Sequence, residues 1–333
     1  MSWTAADVPD QSGRTVVVTG ANSGIGFEAT RVLADRGATV VMACRSVDRG
    51  ESAAAEILDD IDPDADGELV VAELDLADLE SVRAFPERFD EAVDRDGDSS
   101  SGEIDVLVNN AGVMAIPRRE TAQGYEMQFG VNHLGHFALT AVLFDRLATD
   151  ARIVTVSSGL HERGEIDFDD LQGEAEYNRY DAYAQSKLAN LLFAYELDRR
   201  LESTPSNALS VGVHPGYADT SLQARAPEMS GSRARKLLMD VSNAVLAQSA
   251  AKGALSTLYA ATASDVQGGE YYGPGGFMNM RGAPERQRSA EQSYDRETAR
   301  KLWTVSEELT GVKFDIAARV DDTESVDHQT GEN

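Results

Sequence analysis

The feature that most constrains this chain is a regular alternation of short apolar runs with longer stretches of helical period. Arg14–Thr19 (RTVVVT) is β-branched, nearly continuous and ends at Gly20, the pattern of a strand buried on both faces. A helix is expected from about Gly24 to Arg36, with Gly37 as its stop. The unit then recurs as strand Thr39–Ala43, helix Val47–Asp60, strand Leu69–Leu74, helix Leu79–Val93 and strand Ile104–Val108. A long helix through Asn132 follows, then strand Arg152–Val156, helix Tyr180–Leu201 and strand Ser210–Val213. A helix from about Ser249 to Ala261 and a short strand near Gly269–Tyr272 complete the pattern. Such alternation predicts an α/β fold: one doubly wound parallel sheet of the Rossmann type, with helices on both faces.

No internal repeat or clean linker divides the 333 residues, so a single domain is expected. Its core would span about 14–275, followed by an extension over 276–319 and a polar tail over 320–333. Asp94–Gly102 (DRDGDSSSG) reads as a solvated acidic loop. Pro215–Asp240 is compatible with a mobile lid or with an ordinary helical connection.

Charge narrows the partners. There are 57 acids against 30 bases, a net charge of -27, and the bases comprise 25 Arg and 5 Lys. The summed field repels phosphates, which argues against general affinity for nucleic acid or an anionic membrane. A lysine-poor, acidic surface suits high salt, where screening weakens self-repulsion, and a halophilic archaeal source would fit it. One cysteine, Cys44, excludes an intramolecular disulfide and any multi-cysteine metal site. Met1–Gly13 lacks the order of a signal peptide and no apolar run approaches a membrane span, so a cytoplasmic protein is expected.

Three constellations carry chemistry. Thr19-Gly20-Ala21-Asn22-Ser23-Gly24-Ile25-Gly26 lies where the first strand turns into the first helix, the place where a dinucleotide pyrophosphate meets a helix N-terminus. At the end of the second strand, Ala43-Cys44-Arg45-Ser46 offers an arginine where a carboxylate would repel a 2′-phosphate, and Arg49 follows one turn on. This favours NADP(H) over NAD(H); the ordinary alternative is surface arginines paired with neighbouring acids. Tyr183 and Lys187 are four apart on a predicted helix and share a face, so the ammonium can favour the phenolate and make Tyr183 a useful acid or base.

Together with further motifs in the correct order, these segments resemble the short-chain dehydrogenase/reductase family over most of residues 14 to about 275. The additional motifs are Asp75 after the third strand, Asn109-Asn110-Ala111-Gly112 after the fourth, and Asn132 within VNHLGHF. Ser157-Ser158 follows the fifth strand, YAQSK contains Tyr183 and Lys187, and Pro215-Gly216 follows the sixth. The resemblance implies that Tyr183 exchanges a proton with the substrate oxygen and that Lys187 lowers its pKa and binds the nicotinamide ribose. It implies that Ser158, rather than Ser157, hydrogen-bonds the reacting oxygen. Asn132 would hold open a kinked helix and a water linking Lys187 to solvent. Asp75 would meet the adenine, with Leu76 beside it. Asn109, Ala111, Gly112, Pro215 and Gly216 would line the cofactor, and Thr220 would touch its carboxamide.

Ser158 and Tyr183 are 25 apart, about twice the family's short form, and the extra segment His161–Tyr180 looks like an acidic insert beside the active-site mouth. This insert, with ACR at Ala43–Arg45, HPG at His214–Gly216, YYGPGGF at Tyr271–Phe277 and the Ala299–Gly311 stretch, is most similar to the retinol-dehydrogenase and protochlorophyllide-reductase branch. The implied activity is NADP(H)-dependent interconversion of a carbonyl and an alcohol, with reduction as the inferred direction and a lipophilic ketone or aldehyde as substrate. Met114, Ile116, Leu160, Leu222, Met229, Leu237 and Leu238 are the candidate pocket wall. Double-bond reduction and a non-catalytic NADP(H) sensor are the alternatives, and pairing of the helices bearing Asn132 and Tyr183 would allow a homo-oligomer. His133, His136, His161 and His214 lack a completing ligand set, so packing or hydrogen-bonding roles are expected and no metal is.

Overall fold

Three consecutive valines show how the sheet is covered. In β1 (Thr15–Thr19), Val16 and Val18 belong to one buried core and Val17 to the other, as the two-residue period of a strand requires. The same division holds in β2 (Thr39–Cys44), where Val40 and Met42 face one side and Val41 and Ala43 the other. The computed structural model describes residues 2–93, 102–216, 250–276, 279, 281–314 and 316. Most of the Asp94–Gly102 stretch, the segment over 217–249, Phe277 and the tail over 320–333 lie outside the described residues.

The first core is covered by α1 (Gly24–Asp35), α2 (Val47–Asp60) and α8 (Ala250–Thr262). The second is covered by α3 (Leu79–Arg83), α4 (Phe85–Val93), α6 (Gly135–Val142), α7 (Arg179–Leu201) and α9 (Arg296–Thr310). With β3 (Glu68–Glu73), β4 (Ile104–Asn109), β5 (Leu147–Val156), β6 (Leu209–Val213), β7 (Tyr271–Pro274) and β8 (Pro284–Gln287), the strands form one sheet. Its order is β3-β2-β1-β4-β5-β6-β7-β8, parallel except for β8 against β7. Strand order reverses between β1 and β4, which opens a crevice at their carboxyl ends where ligands of such sheets bind.

Four elements differ from the sequence expectation. The helix expected over Leu79–Val93 breaks at Ala84, because Pro86 is tolerated only in the first turn of a new helix, α4. The long helix through Asn132 is α5 (Met127–Phe129), a wide π-turn (Gly130–Leu134) and α6. β5 starts at Leu147, where a register shift beside Ile104 and the exposed Thr149 and Asp150 disguise its first half. β8 has no apolar alternation; it is an edge strand whose exposed Glu285 and Arg286 face solvent.

The His161–Tyr180 insert is tethered. Gln185 on α7 accepts from the Asp167 N–H at 3.0 Å and donates to the Leu171 carbonyl at 3.1 Å. The Tyr177 hydroxyl donates to the buried Glu126 carboxylate at 2.9 Å, and Gln128 donates to it at 2.9 Å. Against α7, Phe137, Phe193, Trp303 and Phe314 interlock, which fixes the C-terminal helix to the helix carrying Tyr183. Among the described residues no helix is long and apolar enough to cross a membrane.

Candidate active site

A cleft of about 260 Å³ opens at the carboxyl ends of the central strands. At one end it is floored by the glycine-rich turn, with Gly20, Asn22, Ser23, Gly24 and Ile25 in its wall. Gly20 has φ +67°, a conformation that strains any residue with a Cβ. Gly26 lies behind the wall: a Cβ there would sit 2.5 Å from the Gly20 carbonyl oxygen and 2.6 Å from Asn110 Nδ2. Its absence lets α1 approach the sheet. No acid stands in the first turn of α1 and Ser23 makes no side-chain cap, so the N–H groups of that helix end remain available to an anion.

Thr19 ties the turn to the next loop. Its hydroxyl accepts the Asn110 and Ala111 N–H groups, both at 2.9 Å, and lies 2.9 Å from His136 Nε2. Cys44 points inward, where its sulfur accepts the Ala21 and Asn22 N–H groups and burial pushes the thiol up to about 11. Arg45 and Arg49 face the cleft, and among the described residues neither is paired with a carboxylate. Asp75 and Leu76 complete that end; the Asp75 carboxylate accepts the Ala77 N–H at 3.0 Å.

The other end holds Tyr183 and Lys187, one turn apart on α7 and 4% and 3% exposed, so both are presented only through the cleft. The Lys187 ammonium donates to the Val156 carbonyl at 3.0 Å and lies 5.8 Å from the Tyr183 ring centroid. Burial lowers Lys187 to about 7. Burial also dominates Tyr183, raising it to about 12, against a hydrogen bond with the Ser158 hydroxyl that acts to lower it. Of the two serines, Ser157 lines the cleft and donates to the Lys187 carbonyl at 2.7 Å, whereas Ser158 is half-buried just outside the cleft wall, accepts the Leu160 N–H at 3.3 Å and lies close enough to Tyr183 to act on its phenol. Asn132, inside the π-turn, staples the site: its Oδ1 accepts from the Val113 N–H at 2.8 Å. Its Nδ2 donates to the Val113 carbonyl and to Ser186 Oγ, both at 2.9 Å.

A family model described as short chain dehydrogenase matches residues 14–231. The chain belongs to the short-chain dehydrogenase family. It is an oxidoreductase related to the retinol dehydrogenases. Retinol dehydrogenase 14 from Mus musculus is 42% identical over 313 residues, 90% of this chain and 86% of that one. Retinol dehydrogenase 12 from Homo sapiens is 39% identical over 307 residues, 91% and 88% of the two chains. An uncharacterized Mycobacterium paratuberculosis protein of known structure superposes with a TM-score of 0.75 at 41% identity, covering 94% of this chain and 99% of that one. A dehydrogenase from Beutenbergia cavernae, solved with bound NADP at low occupancy, has a TM-score of 0.56 at 26% identity, covering 79% and 95%.

In this short-chain dehydrogenase the cleft wall gathers Gly20, Asn22, Ser23, Gly24, Ile25, Arg45, Asp75, Leu76, Ala111, Gly112, Tyr183, Lys187 and Pro215 from the sequence-derived set. It gathers Ser157 rather than Ser158, and it does not gather Asn109, which is fully buried and donates to Thr140 on α6 at 3.0 Å. Gly216 (φ +70°) follows Pro215 at the edge, and Thr220 lies outside the described residues. Met114 and Leu160 are half-buried and Ile116 is buried, while Leu222, Met229, Leu237 and Leu238 also lie outside the described residues. Sequence reasoning missed Val113, Met127 and Val131, which give the cleft an apolar side. The four-residue spacing of Met127 and Val131 was a usable signal for a shared helix face.

His133, His136 and His214 of the dehydrogenase are buried within the fold. His136 donates from Nδ1 to the Asn132 carbonyl at 3.0 Å, so its Nε2 is the acceptor for the Thr19 hydroxyl. His133 reaches Ser306 on α9 at 2.8 Å among Phe129, Phe137 and Phe193. Burial holds His133 at about 3 and His136 and His214 at about 4, against an ordinary value of 6.5. Below pH 6.5 the unfolded chain therefore takes up protons before the folded one, and stability falls as pH drops toward 4. Each of these groups contributes a loss of roughly 1.4 kcal/mol per pH unit in that window. Asp198, raised by burial to about 6, has the opposite sign and offsets one of them. Denaturation midpoints should thus fall steeply between about pH 6.5 and pH 4.5 at fixed salt, and a flat profile would contradict the assignment.

Proposed function

We propose that this protein is an NADP(H)-dependent carbonyl reductase acting on a lipophilic ketone or aldehyde. The reading is carried by one arrangement: the Tyr183 hydroxyl, close to Ser158 and set beside Lys187, shares a cleft with two arginines that have no acidic partner among the described residues. The groups present fit a dinucleotide phosphate. The uncapped end of α1, with Gly20, Ser23 and Gly24 in the cleft wall, suits the pyrophosphate, and Arg45 with Arg49 suits a 2′-phosphate. The Cys44 thiol, turned inward, leaves no carboxylate there to repel it.

NADP(H), when bound, supplies the hydride for the carbonyl carbon. Charge then develops on the carbonyl oxygen, and the two hydroxyls of Ser158 and Tyr183 are the donors that meet it. With burial holding it well above neutrality, Tyr183 stays protonated and can release that proton to the forming alkoxide. The Lys187 ammonium, held against the Val156 carbonyl, stabilises the phenolate left behind. Asn132 holds Val113 and Ser186 so that the cleft wall and α7 keep their spacing. The apolar side from Val113, Met127 and Val131 excludes water and, with the kinship to retinol dehydrogenases, supports an apolar substrate.

The test is loss of cofactor absorbance over a panel of ketones and aldehydes in high salt, with NADPH and NADH compared. Turnover of apolar carbonyls with NADPH, and little with NADH, is expected. Equal use of both cofactors, or turnover confined to polar sugars, would reject the proposal.

A further inference from the structure

Ser158 is held from behind. Its carbonyl accepts the His161 backbone N–H at 3.0 Å and also His161 Nδ1 at 2.6 Å. A carbonyl has no proton to give, so Nδ1 carries the hydrogen. The other ring nitrogen, Nε2, takes the Ala290 N–H at 3.0 Å and so carries none. His161 is thereby fixed as one neutral tautomer, with both nitrogens committed and the ring 1% exposed. Burial keeps it below the usual histidine range, although Glu162 and the Ser158 carbonyl pull it back. Its ring packs edge-on against Tyr271, centroids 5.4 Å apart, and Tyr271 in turn stacks on His214.

The bond matters because it adds a side-chain grip, anchored on Ala290, to the single turn of backbone that otherwise holds the Ser158 peptide. Gly159 follows it, exposed and with open space where a Cβ would be, and begins the short 3-10 turn Gly159–Arg163 that Ser158 caps, so no packed side chain at 159 helps to hold the peptide. The Ser158 hydroxyl accepts only a long 3.3 Å bond from the Leu160 N–H while it meets Tyr183. We propose that His161 is a positioning residue: by gripping the Ser158 carbonyl from an anchor on Ala290, in the C-terminal extension, it aims the Ser158 hydroxyl at the reacting oxygen. This rests on the reading of Ser158 as the group that hydrogen-bonds the substrate oxygen.

The two ring nitrogens can be replaced separately. In His161→Asn the amide nitrogen takes the place of Nδ1 and can donate to Ser158. In His161→Gln the amide oxygen takes the place of Nε2 and can accept from Ala290. Steady-state reduction of an accepted carbonyl with NADPH, alongside thermal melts, should be measured for H161A, H161N, H161Q and S158A. H161A and H161Q should lose about tenfold in kcat with the KM for NADPH unchanged, and H161N should recover to within about threefold of wild type. Loss in H161N equal to that in H161Q, or kcat falling only in step with melting temperature, would overturn the proposal while S158A stays impaired. Wild-type turnover in S158A would instead overturn the reading of Ser158, and the proposal with it.

Discussion

Replacing Tyr183 by Phe is expected to lower carbonyl turnover by about a thousandfold while leaving NADPH binding within about twofold of wild type. The phenol ring stays, so the packing of a 4% exposed residue on α7 is retained and the melting temperature should change little. What goes is one hydroxyl, the proton donor nearest to Ser158 and the ammonium of Lys187. Because the phenol is raised to about 12, it is protonated across the accessible pH range. Among the described residues, neither of the two phenols that closely precede it on the chain can replace it. Tyr177 is committed to Glu126 and Gln128, and Tyr180 has Ala184 where a lysine would be needed. Turnover is measured with saturating NADPH, and binding by quenching of protein fluorescence. A variant that reduces carbonyls at the wild-type rate would reject Tyr183 as the proton donor.

The second large effect concerns Arg45. Replacing it by Ala should weaken NADPH by about thirtyfold and leave NADH nearly unchanged, the difference expected for one charge-assisted phosphate contact. The overall charge sharpens this test. A protein with a net charge of -27 repels the cofactor as a whole, so attraction depends on the few cations and the α1 N-terminus at the cleft. Moderate salt shortens the Debye length to about 10 Å at 0.1 M and removes long-range repulsion before it weakens contacts at bonding distance. NADPH affinity should therefore rise with salt at first and then level or fall. Titrations at several salt concentrations, wild type against Arg45→Ala, check both statements. An affinity that declines from the lowest salt upward would contradict the charge argument, and an unchanged NADPH-to-NADH ratio in the variant would contradict the phosphate contact.

How much of this was legible in the chain follows from the range of each signal. β1, β2 and α2 lie within a residue of their expected bounds because their patterns are local: β-branched runs bounded by glycine, and a Ser46 cap. That Tyr183 and Lys187 share a face could be read from their spacing, since four residues on a helix define one face, but their pairing as a site rested on the other motifs in the chain. The wide turn at Gly130–Leu134 leaves no mark in composition or period, and only the family resemblance implied a kinked helix at Asn132; the turn is held by Asn132 bonding to Val113, 19 residues away. β8 was invisible because a polar edge strand needs no apolar period, only β7 beside it.

By itself, then, the sequence determined the α/β class, the alternation of strands and helices along the chain, the glycine turn and the shared face of Tyr183 and Lys187. These depend on steric and periodic preferences carried by residues close together in the chain. Only the tertiary structure decided that Ser157 is tied to the Lys187 carbonyl, that Asn109 turns inward to Thr140, and that Arg45 and Arg49 face the cleft. It also decided that His161 spans from Ser158 to Ala290, 129 residues beyond it. Hydrogen bonds and burial of this kind are set by neighbours brought together across the sheet, and such neighbours leave no period in the sequence to read.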